Sequence, residues 1–445
     1  MVTIGQFYAD LSIEFRVRSS GPSNSKGSFM NSILDINSSP KRLNASAFIF
    51  LTSLVLFFLL GALLYYYKFT IHLGVDESNL EEFLGVISHD SLMYTGESWI
   101  AIDVNNLDFS GAIEWFKNYP TLLPMTVLTY GLQQLGVSAI YFNLTLIICA
   151  GWVLFRFFWR RYGSLPICGL LFIFLNTLTI FYSQSFTKEP ILLLLATFLV
   201  TSSLDRCRWQ AILALIGIGV IRLPFLIPST LFVLWSFASP RYNILKQAKL
   251  KISFMLIYCL IVPLIFSQTG LYRAAEINLS NIQQTSGVTF EYLQIMKIPG
   301  VPLLFLPIKI MQNLLEPLFS LRMQLMSEKV QLGYLMSVSF AVLNFLAIVF
   351  LCWILGARFF NKLLGRRSPP VLELRDSAEL QVFLILVITF FSFLPFVQMR
   401  YIYPVAPIIG LLIDQLLLPR LAKVRKTRLS ILEEVRKLRL SKIKV

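Results

Sequence analysis

Apolar runs of about 20 residues recur along this chain, and very few architectures can absorb them. A helix rises about 1.5 Å per residue, so each such run is long enough to cover the roughly 30 Å hydrocarbon layer of a bilayer. Of the 445 residues, 56% are hydrophobic and 14% charged, where an ordinary soluble domain carries about 25% charge. An aqueous core has no use for that much apolar sequence. A first span covers residues 48–67, and nine further candidates begin near Ala139, Leu165, Pro190, Gln210, Pro224, Ser253, Leu332, Leu380 and Tyr401. Together they predict an all-α polytopic membrane protein with about ten transmembrane helices and both termini on one side.

The charges are segregated in a way that tests this count. Residues 420–445 hold ten Lys/Arg against two Glu, a net of +8. Residues 69–118 hold nine acids against one Lys, a net of −8. Arg160 and Arg161, Arg206 and Arg208, and Arg241 with Lys246, Lys249 and Lys251 all fall on the side of the termini. So do Arg358, Lys362, Arg366 and Arg367, as cytoplasmic connections should. Two proline-broken segments, 119–136 and 298–319, would invert this order if they crossed; they read as helices lying in the outer interface.

The organisation that follows has three parts. Residues 1–46, polar and rich in Ser and Asn, read as a disordered cytosolic tail. Residues 47–418 form the membrane domain, with outer loops over 69–137 and 269–330. Residues 419–445 read as a basic amphipathic cytosolic tail adhering to anionic lipid. The net charge of +15 therefore argues for a membrane surface, not for nucleic acid. Cys149, Cys168, Cys207, Cys259 and Cys352 lack metal-ligand or disulfide spacing and read as small packing residues.

Ionisable groups close to hydrocarbon are costly, which makes them functional candidates. On this topology they gather at the outer face: Asp90, Glu97 and Asp103 in the first outer loop, Lys188 and Glu189 in the turn SQSFTKEP, Arg222 in IRLP and Arg400 in MRYIYP. A carboxylate can take the proton of an attacking hydroxyl or hold a divalent metal. Arginine and lysine can clamp a phosphate. Transfer of a sugar from a polyprenyl phosphate needs both kinds of group.

Three stretches resemble the GT-C superfamily of membrane glycosyltransferases, which includes protein mannosyltransferases and the aminoarabinose transferases of lipid A. HDSLMYTGESW, with Asp90 and then Tyr94, is similar to that family's first outer loop. FYSQSFTKEPILLLLATFLV resembles a later outer turn in which an acid precedes a long apolar helix. MRYIYPVAPIIGLLI resembles the closing helix with its Arg-Tyr pair, here Arg400 and Tyr401. The resemblance implies a lipid-phosphate-sugar donor and an envelope glycan, lipid or protein acceptor, with the active site facing away from the cytoplasm of a bacterial inner membrane. It implies that Asp90 is the base or a metal-associated acid, with Glu189 as the acid of the later turn. Lys188, Arg222 and Arg400 would contact the donor phosphate, and His89, Tyr94, Glu97 and Tyr401 would complete the substrate site. The chain departs from some subfamilies in having His-Asp at 89–90, and in lacking a large soluble outer domain.

Blander readings accompany each residue. Asp90 and Glu97 can be solvated loop acids, Lys188 and Glu189 can form an ion pair capping the next helix, and Arg222 and Arg400 can snorkel to headgroups. A Wzy-type polymerase is the rival in the same pathway, using Arg273 and Arg322 of the late outer loop. A lipid-linked sugar flippase is the rival of another class, and its one clear midplane charge is Asp414.

Overall fold

The computed structural model describes residues 50–63, 122–183, 186–242, 338–351 apart from 348, 375–392 and 402–417, with isolated positions between 254 and 311. The N-terminal tail, the first outer loop up to 121 and the basic C-terminal segment lie outside the described residues. Every regular element described is helical and there is no strand among them. The all-α expectation is met.

In chain order the helices are α1 (Phe50–Leu63), α2 (Leu122–Gln134), α3 (Ala139–Tyr162), α4 (Ile167–Phe174), α5 (Thr177–Tyr182) and α6 (Glu189–Leu204). There follow α7 (Arg208–Ile221), α8 (Leu223–Tyr242), α9 (Val338–Leu351), α10 (Arg375–Ser392) and α11 (Tyr403–Leu417), the last opening with a turn of 3-10 helix. One of them, α3, has a stretch of 23 residues (Ile140–Tyr162) long and apolar enough to cross a membrane. Its ends are well defined. The Ser138 hydroxyl accepts the Tyr141 N–H, and Gly163, at φ 61, donates its N–H to the Trp159 carbonyl. Arg160 and Arg161 in its last turn complement the negative end of the helix dipole.

Several of the other apolar helices are shorter than the sequence suggests. At 16 and 14 residues, α6 and α7 reach only about 24 and 21 Å. The tight turn at Asp205–Arg206, where Arg206 takes φ 64, ends α6 early. The candidate expected from Leu165 is divided in two, because the Asn176 side chain accepts the Leu178 N–H and restarts the chain as α5. Ten full-length crossings are therefore not seen among the described residues. The described part of α2 has 13 residues.

The centre of the bundle is α6, which packs against α3, α7, α8, α10 and the start of α11. Aromatic rings fill the seams. Phe57 and Phe50 of α1 lie 5.9 and 5.6 Å from Phe174 of α4, and Phe232 of α8 lies 4.8 Å from Phe383 of α10. The backbones of α4 and α11 approach closely. A Cβ on Gly410 would stand 2.6 Å from the Cys168 backbone, so only glycine fits there. Large apolar side chains also face outward: on α7, Trp209, Leu213, Ile216 and Val220 are exposed while Ala211, Ala214, Ile218 and Ile221 are buried. Spaced by three or four residues, the outward set forms a continuous apolar stripe.

Candidate functional site

Two polar clusters lie at opposite ends of α6. The first assembles around its N-terminus. Pro190 in the first turn fits a helix start, having no N–H to leave unpaired, and Glu189 suits the positive end of the helix dipole. The Glu189 carboxylate meets Arg222, which ends α7 thirty-three positions later; Nη1 lies 3.3 Å from Oε1. Both side chains are buried, at 1% and 5% exposure. Arg222 therefore does not snorkel. Lys188, the residue before α6, is also buried.

Neighbouring elements close over this pair. Met125 of α2 packs with Leu192 of α6 and Ile221 of α7. Asn143 of α3 donates through its amide to the Tyr182 carbonyl at 3.1 Å, and the Thr187 hydroxyl donates to the same carbonyl at 3.5 Å. Tyr403, opening α11, has its ring 5.2 Å from Tyr182. Its hydroxyl faces the Thr179 hydroxyl and lies within electrostatic reach of the Glu189 carboxylate. Three buried atoms there have no hydrogen bond of good geometry among the described residues: Glu189 Oε2, Thr179 Oγ1 and the Tyr403 hydroxyl. Each such atom costs about 1–3 kcal/mol unless a ligand or water satisfies it.

Of the residues the sequence nominates, the structure brings Lys188, Glu189 and Arg222 together. His89, Asp90, Tyr94, Glu97, Arg400 and Tyr401 lie outside the described residues, as do Arg273 and Arg322. Tyr403 and Thr179 were missed, since a tyrosine before proline and a threonine in an apolar helix are both ordinary in composition. Asn143 was visible only as a glycosylation triplet; fully buried and bonded to the backbone, it acts as a clamp between α3 and α5.

The second cluster occupies the other end of α6. Arg206 pairs with the fully buried Glu379 of α10 and also bonds to the carbonyl of Ser236 in α8. The Ser236 hydroxyl bonds Glu379 Oε2 at 3.0 Å, and Arg161 meets Asp205 at 3.3 Å. Asp414 lies near this end too, beside the start of α4 and the end of α3. Its carboxylate accepts the backbone N–H groups of Cys168 and Gly169, at 3.0 and 2.9 Å, at the start of α4. Beside it, Gln415 donates to the Tyr162 hydroxyl at the end of α3. A carboxylate so engaged caps the start of α4. Among the described cysteines Cys149 and Cys207 are exposed and the partly buried Cys168 fits the expected packing role, while Cys259 and Cys352 lie outside the described residues.

No group of three or more His, Cys, Asp or Glu side chains comes together among the described residues. Among the described residues the carboxylate of Glu189 faces a guanidinium and not a second carboxylate. Compared with family models, curated proteins and solved structures, the chain matches none of them.

Proposed function

We propose that this chain is a multi-pass membrane glycosyltransferase of GT-C-like architecture, passing a sugar from a polyprenyl-phosphate donor to an envelope glycan, lipid or protein. Its outward apolar stripes favour lipid as the solvent: in water such faces would associate. The observation that carries the reading is the convergence of Lys188, Glu189 and Arg222 at one end of the bundle. They come from two turns, both distant in sequence from the basic connections clustered at the other end. The start of α11 belongs to the same end, and Arg400 and Tyr401 immediately precede it.

In this mechanism an acceptor hydroxyl attacks the anomeric carbon of the donor. Its proton passes to the Asp90 carboxylate. The bond from the anomeric carbon to the phosphate oxygen breaks, and the electron pair leaves with the polyprenyl phosphate. Lys188 and Arg400 stabilise the charge that develops there. Arg222 is already compensated by Glu189, so it serves chiefly to orient that carboxylate.

Membranes containing the full chain, supplied with radiolabelled polyprenyl-phosphate sugars, test the reading. Transfer to an endogenous acceptor should be lost in Asp90→Asn and Lys188→Ala, while both variants insert normally. Undiminished transfer in Asp90→Asn removes the assignment of the base. Absence of transfer by the native chain across donors that span the envelope sugars removes the enzyme reading.

A further inference from the structure

We infer that Tyr403, Thr179 and Glu189 form a hydroxyl-reading subsite that recognises the sugar of the donor, separate from the cations that hold its phosphate. The inference rests on the transferase reading and assigns a specificity role to two residues outside it. The Tyr403 and Thr179 hydroxyls face each other, the Glu189 carboxylate lies within electrostatic reach of Tyr403, and all three oxygens are buried without a hydrogen bond of good geometry. Tyr403 and Thr179 are fully buried and Glu189 is 1% exposed.

The chemistry of these atoms selects the ligand. A carboxylate oxygen only accepts hydrogen bonds, whereas the two hydroxyls can donate or accept. The complement is a group that also does both, such as the vicinal hydroxyls of a sugar. A phosphate is a poor match, because it offers acceptors only and would confront the Glu189 carboxylate. The local charge agrees: Glu189 and Arg222 cancel within their pair, so the carboxylate brings no net charge to the subsite. The Tyr182 ring packs 5.2 Å from that of Tyr403 and helps fix its position.

Binding to the full-length protein in lipid nanodiscs tests this, with two probes. One is undecaprenyl phosphate; the other is the same lipid phosphate bearing a neutral hexose, an N-acetylhexosamine or a pentose. The native chain should bind one sugar-linked form more tightly than the bare phosphate. Tyr403→Phe and Thr179→Val should weaken that form about fivefold to tenfold each, as loss of one hydrogen bond does, and leave the bare phosphate unchanged. Thr179→Ser should keep native affinity. The subsite is overturned if the variants bind the sugar-linked lipids like the native chain, or if they weaken both probes equally. Preference for no sugar also overturns it, while leaving the transferase reading standing. Failure of the native chain to bind either probe ends both.

Discussion

The Glu189–Arg222 pair is where one residue's chemistry can be separated from its contribution to folding. Removing one partner strands a buried charge, so Glu189→Met or Arg222→Met should lower stability by about 3–5 kcal/mol. The double variant, with two apolar side chains of similar length, should recover most of that loss in a thermal melt yet stay inactive in transfer. Recovery of activity together with stability would reduce the pair to packing. Gly410 offers a simpler case: Gly410→Ala forces a methyl against the Cys168 backbone and should cost about 1–3 kcal/mol, measured by the same melt. At this scale the sequence revealed charge but not partnership. Lys188, Glu189 and Arg222 stood out because ionisable groups beside apolar runs are rare. That Glu189 reaches Arg222, and that Asp414 caps α4, depends on helix ends meeting across the bundle, which no local pattern encodes. Tyr403 and Thr179 were hidden for a related reason: their hydroxyls matter only through burial.

Among the elements, the shortness of α6 and α7 follows from the turns that bound them. The apolar content of both was plain in the sequence, but their ends were not, since Arg206 in a left-handed turn and Asn176 capping its own downstream N–H are local choices that apolarity does not report. The Arg206–Glu379–Ser236 cluster then joins α6 to α8 and α10. Glu379→Ala should destabilise the protein strongly, because it strands Arg206 and opens a buried site. Arg161→Ala should change stability by no more than about 1 kcal/mol, as its pair with Asp205 is one-third exposed. Equal melting temperatures for the two variants would contradict this ranking. The outward stripe of α7 makes a different prediction. On the proposed membrane reading, Leu213→Arg turns a charge toward lipid and should reduce membrane integration, at a cost of about 2.5–3.5 kcal/mol for a central position. A helix surface bathed in water would tolerate the change.

For the molecule as a whole, the distribution of charge was the most legible feature of all. The sequence placed Arg161 and Arg206 on one side and Lys188, Glu189 and Arg222 on the other, and the structure gathers these two sets at opposite ends of α6. The claim on which the transferase reading turns is that Asp90 and Arg400 join the second set, around one anionic lipid headgroup. Sided cysteine labelling tests it directly. In a chain whose only native cysteine is Cys207, next to Arg206 at the first end, Asp90→Cys and Arg400→Cys should both react with a membrane-impermeant maleimide in intact cells, and Cys207 only after permeabilisation. Labelling of positions 90 and 400 from opposite sides of the membrane would contradict the account.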